Sequence, residues 1–401
     1  MSLDFLAKAS SRGGSADAFG RLRVSDPQTI FDYQAQYDAG PLLWEDDLTG
    51  SGTAAHSANG AAVSLTVTTA SGDKVTRQTR QYHRYQPGKS QLVFCTFVMG
   101  AGQANTDQRV GYFDDNDGIF LELTGTTLQI VRRTSTSGSP VDNAVTQANW
   151  NINTLSSLDI TKSQIFVIDL EWLGVGSVRC GFVIDGQIIY VHQFKNANNL
   201  ASVYMKTANL PVRFEIENTD TAAAGLTLSA ICCSVISEGG FEESRGIPFS
   251  VSSGGTTVGV TTTARTPIVS IRPKATFNSI VNRGAILPFN VSGYASSVGA
   301  LFEVIYGGAL TGASFASVDT NSITEVDTSA SAITGGQVVY SFFVAAGGQV
   351  SNSTTNSIIS RLPLVLDKAG ANPKNLSLVA TRIGGSGTSS CAGALFWQEL
   401  R

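Results

Sequence analysis

Short runs of β-branched and aromatic residues, separated by Gly, Asn, Asp and Ser, recur along most of this chain. Clear examples are residues 91–98, 119–123, 164–172 and 178–184. Runs of this length and composition predict strands, and the residues between them predict turns. No segment with a helical period is long enough to interrupt the series. The pattern therefore predicts an all-β fold built as a sandwich.

A Gly-rich and charged stretch separates two β regions. Residues 238–246 break the strand pattern, and the region after them is richer in Ser, Thr and Gly and poorer in charge. At 401 residues the chain has room for roughly two or three domains. We predict one β-sandwich over residues 41–240 and a second, smaller β-sandwich over residues 241–401.

Residues 1–40 differ from the rest because their apolar residues occur singly, without a helical or strand period. They nevertheless include the aromatic residues Phe5, Phe19, Phe31, Tyr33 and Tyr37. A segment that cannot bury these side chains by itself is expected to order by docking on its own domain or on a partner. We predict an extended N-terminal docking arm, with a disordered leader as the alternative. We expect the chain to fold without it.

Composition argues against several classes of partner. Charged residues make up 14% of the chain and the net charge is −4, without the basic stripe that nucleic-acid binding requires. No apolar stretch approaches the ~20 residues of a membrane span. Residues 1–5 lack the features of a signal peptide, so we predict synthesis in a host cytoplasm. The five cysteines lack metal-ligand spacing and are predicted to be free thiols.

An acidic loop is the best candidate for a metal site. Asp114, Asp115 and Asp117 concentrate the oxygen ligands that Ca²⁺ prefers. The standard calcium loop would need an acid where Phe113 stands, so we interpret the loop as a turn closed by Asp and Asn side chains. We predict no metal and no other cofactor.

Two carboxylates on one predicted strand are the best catalytic candidate. Asp169 and Glu171 lie two positions apart, so they share a face of the strand as a glycosidase pair could. Sandwich-fold hydrolases of the laminarinase type carry a third acid where this chain has Gly174. We therefore interpret the pair as the polar face of a half-buried strand. Because no nucleophile motif occurs elsewhere, we predict that the protein is not an enzyme.

Several stretches resemble one known group of proteins, the virion structural proteins of tailed phages. The opening of that group is similar to Ala18-Phe19-Gly20-Arg21-Leu22-Arg23-Val24-Ser25-Asp26-Pro27, followed by Ile30-Phe31-Asp32. Residues 164–176, 183–186 and 209–216 resemble the same group. The resemblance covers residues 18–218, and residues 265–290 match it more loosely. It implies a concanavalin-like jelly roll for residues 41–240.

The resemblance also implies a function: a non-enzymatic building block of a tailed-phage virion, most readily in the tail, neck or baseplate. Such a protein would contact other virion proteins and copies of itself through its arm and strand edges. The predicted assembly residues are Phe19, Arg21, Leu22, Arg23 and Phe31. Two alternatives stay open, a capsid decoration protein and a fibre module that binds a host receptor or glycan. The aromatic candidates for glycan binding are Trp150, Tyr82 and Tyr85.

Overall fold

A computed structural model describes residues 16–24, 26–240, 246–261, 264–352 and 362–401. In these ranges the regular elements are strands and one short 3₁₀ helix, Gln147–Asn149. The predicted all-β class is confirmed. The chain divides into two compact units, Met1–Glu242 and Glu243–Arg401.

The first unit contains antiparallel strands that begin within the predicted arm. In chain order they are β1 (Gln28–Gln34), β2 (Trp44–Thr49), β3 (Thr53–Ser57), β4 (Ala62–Val67), β5 (Lys74–Thr79), β6 (Ser90–Val98), β7 (Thr106–Phe113), β8 (Gly118–Thr124), β9 (Thr127–Thr134), β10 (Val141–Thr146), β11 (Gln164–Leu170), β12 (Val178–Ile184), β13 (Gln187–Phe194), β14 (Val212–Asn218) and β15 (Leu226–Glu238).

Two sheets of this unit pack face to face as a sandwich. One is 8-stranded, in the order β13-β12-β11-β6-β15-β4-β3, with β1 also paired to β15. The other is 7-stranded, in the order β10-β9-β8-β7-β14-β5-β2. Alternate residues of each strand face the core, as in β11, where Phe166 and Ile168 are buried in the core between the sheets. Asp169 therefore lies on the outer face of the 8-stranded sheet.

Strand β1 changes the interpretation of the predicted arm. It pairs with β15 from Gln28 to Gln34, and its Phe31 is packed in the core. Phe31 was predicted as an assembly residue, and the structure instead makes it part of the sandwich. The expectation that the chain folds without residues 1–40 therefore conflicts with the structure, because removing them removes a strand and a core aromatic. Phe5 lies outside the described residues.

The second unit is also built from antiparallel strands. In chain order they are β16 (Ile247–Ser252), β17 (Val258–Val260), β18 (Thr266–Pro273), β19 (Thr276–Phe277), β20 (Ile280–Val281), β21 (Ala285–Ala295), β22 (Ala300–Tyr306), β23 (Ala309–Thr311), β24 (Ala316–Ser317), β25 (Thr324–Asp327), β26 (Ala332–Thr334), β27 (Gln337–Val344), β28 (Gly348–Asn352), β29 (Leu376–Arg382) and β30 (Ser389–Leu400).

Its strands form two larger sheets around a separate core. A 5-stranded sheet has the order β16-β30-β21-β28, with β17 also paired to β30. A 6-stranded sheet has the order β24-β25-β18-β29-β22-β27. Trp397 and Phe302 are fully buried in this core. Searched over the described ranges, the chain has no helix long and apolar enough to cross a membrane.

Candidate functional site

The candidate site is the segment 16–24, called here the docked arm, together with the outer face of β11 and β12. Two side chains at the β12 end of the β11–β12 turn bind the arm backbone. Arg179 donates from Nη2 to the carbonyl oxygen of Ala16 at 2.7 Å. Ser177 donates from Oγ to the carbonyl oxygen of Ala18 at 2.6 Å. These bonds lay the arm across the outer face of the 8-stranded sheet.

A tight turn shapes the docked arm, and Asp17 closes it. Oδ1 of Asp17 accepts the backbone N–H groups of Phe19 at 3.0 Å and Arg21 at 2.8 Å. Its Oδ2 accepts from Nε of Arg21 at 2.6 Å. Gly20 has a φ of +80°, a left-handed conformation that glycine adopts without strain. The sequence Asp-Ala-Phe-Gly-Arg thus encodes the turn locally.

Asp169 binds the arm from the middle of the sheet. It is fully buried, and a buried carboxylate is costly unless donors surround it. Its four donors are Arg23 Nη2 at 2.8 Å, Arg179 Nη2 at 2.5 Å, Tyr190 Oη at 2.7 Å and Ser90 Oγ at 2.9 Å. Burial raises the pKa of Tyr190, and the charge of Asp169 raises it further. Asp169 therefore joins the arm to β6, β12 and β13.

Glu171 makes the second contact to the arm. Its Oε1 accepts from Nη2 of Arg21 at 2.6 Å. Its Oε2 is buried and has no hydrogen-bond partner among the described residues. Burial raises the pKa of Glu171 to about 7, although the charge of Arg21 opposes the shift. Glu171 is thus a carboxyl group that is half satisfied and titrates near neutrality.

The β11–β12 turn explains the glycines that follow the two carboxylates. Leu173 and Gly174 have φ angles of +36° and +79°. A Cβ atom on Gly176 would lie 1.7 Å from the carbonyl oxygen of Glu171, so only glycine fits there. The turn brings Arg179 opposite Asp169 across the hairpin. Gly174, which stands where a third acid was considered, therefore has a conformational role.

The predicted assembly residues separate into three groups. Arg21 and Arg23 bind carboxylates of their own chain. Phe19 and Leu22 are exposed, by 44% and 71%. Phe31 is buried in the core. The structure thus brings Arg21 and Arg23 to the two acids that were considered as a catalytic pair.

The three aspartates considered for a metal site have other partners. Asp114 accepts two backbone N–H groups of its own turn. Asp117 accepts the backbone N–H of Lys206 at 2.8 Å, and Asp115 pairs with Arg213 at 2.5 Å. Within the described ranges no group of three or more His, Cys, Asp or Glu side chains could hold a metal ion. The loop is the Asx-closed turn that the sequence favours.

The three aromatics considered for glycan binding lie inside the first unit. Trp150, Tyr82 and Tyr85 are each at most 5% exposed. Trp150 donates from Nε1 to the carbonyl oxygen of Val145 at 3.1 Å, and the hydroxyl of Tyr85 accepts the backbone N–H of Trp172 at 3.1 Å. These residues do not form an exposed platform for a sugar ring.

Sequence reasoning missed the residues that complete the site. Arg179, Tyr190 and Ser90 surround Asp169 but carry no motif of their own. One signal was available for Arg179. Residues 173–177 lie between two strand patterns, and a hairpin through them places Asp169 opposite Arg179.

A second buried charge network, on the 7-stranded sheet, was also missed. Arg109 is its centre, with contacts to Glu122 at 2.6 Å, Glu215 at 2.7 Å, Asp107 at 2.7 Å and Glu217 at 3.0 Å. Burial by itself would raise the pKa of Glu215, but its cationic neighbours hold that pKa well below its ordinary value. Alternating polar residues in β7 and β14 were the available signal.

Comparisons with known proteins bear on the fold. No protein-family model matches the chain, and no curated protein sequence matches it. A protein of unknown function from Shewanella oneidensis is similar at 11% identity and a TM-score of 0.37, over 60% of this chain and 97% of that one. An endo-1,3-beta-glucanase (laminarinase) from Thermotoga petrophila is similar at 11% identity and a TM-score of 0.36, over 54% and 100%. A legume lectin-like domain from Entamoeba histolytica is similar at 7% identity and a TM-score of 0.31, over 52% of this chain and 97% of that one.

The prediction that the protein is not an enzyme is corrected by these comparisons. It depended on the absence of a catalytic motif. The similar structures include the endo-1,3-beta-glucanase, a glycoside hydrolase family protein from Mycobacterium thermorestibile and a transglycosylase. The absence of a catalytic motif from the sequence is not by itself evidence against an enzyme. At these identities and TM-scores the likeness identifies no reaction.

Proposed function

We propose that the protein is a structural component of a tailed-phage particle, located in the tail, neck or baseplate, whose docked arm organises its assembly contacts. The observation that carries the proposal is the pair of ionic contacts from Arg21 to Glu171 and from Arg23 to Asp169.

The contacts join the two stretches that carry the resemblance to virion proteins. Arg21 and Glu171 are 150 positions apart, and Arg23 and Asp169 are 146 apart. Residues 18–27 and 164–176 are separate stretches of the sequence, yet they supply the two sides of one network, in which Arg23, Asp169 and Glu171 are largely buried and Arg21 is half exposed. A resemblance that includes both sides of a contact supports a shared docked arm better than either stretch alone.

The docked arm also presents apolar side chains to solvent. Phe19, Leu22 and Val24 are exposed by 44%, 71% and 87%. Apolar side chains exposed together on one segment are typical of surfaces that another protein covers. The ionic contacts supply the rigid support, and the apolar side chains supply the surface. This arrangement supports an assembly function for the arm.

The experiment is to locate the protein in the particle of the phage that encodes it. An antibody to the protein, applied to purified particles, should label the tail, neck or baseplate in electron micrographs. Labelling over the capsid shell would support the decoration alternative instead. Absence of the protein from purified particles, checked by mass spectrometry, would contradict the proposal.

Glycan binding is the second alternative from the sequence, and it is tested separately. The similar structures include a carbohydrate recognition domain and a legume lectin-like domain, which is analogy at the level of the fold. Specific binding of the purified chain on an array of host glycans would favour this alternative. Because Trp150 is buried, Trp150→Ala should be read alongside a measurement of unfolding.

A further inference from the structure

We propose that a pocket beside the docked arm binds a large apolar side chain of a neighbouring particle protein, next to a carboxylate that pairs with Lys195. The inference rests on the proposed function, because it names the chemistry of the partner at the assembly surface. The pocket, called here the arm pocket, is lined by Phe19, Leu173, Val175, Lys195, Asn196 and Ala197, among others.

The arm pocket is large enough to take a large apolar side chain. Its volume is about 310 Å³. Pockets that enclose whole small molecules run from roughly 300 to 1,000 Å³, so this one is at the lower limit. A single Phe, Leu or Met side chain, inserted as an anchor from another surface, fits such a space. Anchors of this kind carry most of the binding energy of protein interfaces.

The backbone holds an apolar side chain out of the core at this pocket. Leu173 has a φ of +36°, a left-handed conformation that is strained for leucine, and its side chain is 48% exposed. The turn is fixed by hydrogen bonds from the N–H of Gly176 to Trp172 at 2.7 Å and from the N–H of Tyr204 to Gly174 at 2.9 Å. The side chain of Leu173 is therefore only partly buried by its own chain, although its backbone is strained. A partner that covers Leu173 would supply it.

The arm and the sheet build the pocket together. Phe19 is held above it by the Asp17 turn and by the bond from Ser177 to Ala18. Val175, from the β11–β12 turn, also lines the pocket and is 39% exposed. Because one wall belongs to the docked arm, the pocket exists only while Arg21 and Arg23 hold the arm in place. Arm docking and partner binding are therefore coupled.

Lys195 defines the charge of the partner. It lines the pocket, and in the described part of the chain its ammonium group has no hydrogen-bond or ion-pair partner. The pocket-lining residues include no carboxylate. An acidic residue beside the apolar anchor would pair with Lys195. Such an exposed pair orients the partner and adds little affinity.

The test measures binding of designed peptides to the full chain by fluorescence anisotropy. The probe is a labelled decapeptide of Gly and Ser with Asp-Phe-Asp at its centre, and the comparison peptides carry Lys-Phe-Lys or Asp-Ser-Asp. We expect the first peptide to bind at least tenfold more tightly than the third, since the third lacks the anchor. The Lys-Phe-Lys peptide should bind more weakly than the first, by about twofold to fivefold.

Variants connect this binding to the arm pocket. Val175→Asp should weaken binding of the Asp-Phe-Asp peptide at least about tenfold, because it places a charge in the apolar wall. Val141→Asp is the matched control, since Val141 is an exposed valine (52%) on β10 that does not line the arm pocket. Arg21→Glu should also weaken binding by releasing Phe19. Circular dichroism checks that each variant is folded.

Equal binding by Val175→Asp and Val141→Asp would overturn the inference, as would equal binding of the Asp-Phe-Asp and Lys-Phe-Lys peptides. The peptide test needs no particle, so its failure is distinguishable from failure of the proposed function. Loss of peptide binding with the protein present in the particle rejects the arm pocket alone. Absence from the particle rejects the proposed function.

Discussion

The docked arm and strand β1 lie within the same predicted segment, yet they bind the sandwich in different ways. The arm, residues 16–24, lies on the outer face of the sheet and is held by charges at Asp169 and Glu171. Strand β1 extends the sheet beside β15 and buries Phe31 in the core. The comparison teaches that a segment without a clear apolar period can still contain a core strand. Strand β1 should therefore contribute more to stability, and the docked arm should contribute more to assembly.

Removing the core aromatic of β1 should have the largest effect. We expect Phe31→Ala to lower the free energy of unfolding by about 3–5 kcal/mol, because it removes a buried ring and leaves a cavity. Urea denaturation of the whole chain, followed by tryptophan fluorescence, measures the change. Leu22→Ala, in the exposed part of the arm, is the matched control. If both substitutions changed stability alike, β1 and the arm would not differ as described.

Breaking the network at Asp169 should have the next largest effect. Asp169→Asn keeps the shape but removes the charge that Arg23 and Arg179 share, and loss of one partner of a buried pair costs about 3 kcal/mol. Release of the arm should expose Arg23 and free the backbone on both sides of it, so cleavage by trypsin after Arg21 and Arg23 should accelerate. Phe31→Ala is the comparison variant, because it lowers stability without removing a charge that holds the arm. Unchanged cleavage in Asp169→Asn would show that the arm does not depend on this carboxylate.

Glu171 should make the stability of the fold depend on pH. We expect this effect to be smaller than that of Asp169→Asn, and its sign follows from the pKa shift. Its pKa rises from 4.5 to about 7 in the folded protein, so the folded state binds its proton more tightly than the unfolded state. The stability that protonation of Glu171 adds to the folded state is fully present below pH 4.5 and is lost as the pH rises through about 7.

The measurement compares Glu171→Gln with the unchanged chain at pH 5 and pH 8. Relative to the unchanged chain, the variant should gain stability on going from pH 5 to pH 8, on the order of 1 kcal/mol. The comparison cancels the other titrating groups, including the low-pKa Glu215. A constant difference between the two proteins at both pH values would contradict the assignment.

Changes at the exposed side chains of the arm should have the smallest effect on stability. Val24→Ser alters a residue that is 87% exposed, and such substitutions usually change the free energy of unfolding by less than about 0.5 kcal/mol. The proposed function nevertheless predicts less of this variant in purified particles. Quantitative mass spectrometry of the particles measures it. Normal incorporation would place the assembly surface elsewhere on the chain.

Sequence by itself determined the class of this fold. Strand-length apolar runs and turn residues are local features, so segments such as 91–98 and 164–172 became β6 and β11 close to where they were predicted. The connector at 238–246 likewise contains the division after Glu242. The turn that Asp17 closes and the glycine requirement at residue 176 are also local, and their residues are visible in the sequence.

Only the tertiary structure decided which distant residues meet and which face each side chain takes. Arg21 reaches Glu171 across 150 positions, and no local pattern encodes that pairing. Phe31 points inward because of the register between β1 and β15, two strands far apart in sequence. A shift of one residue in that register would turn each side chain to the opposite face. The strand pattern is therefore readable from the sequence, but the site exists only once the sheets have paired.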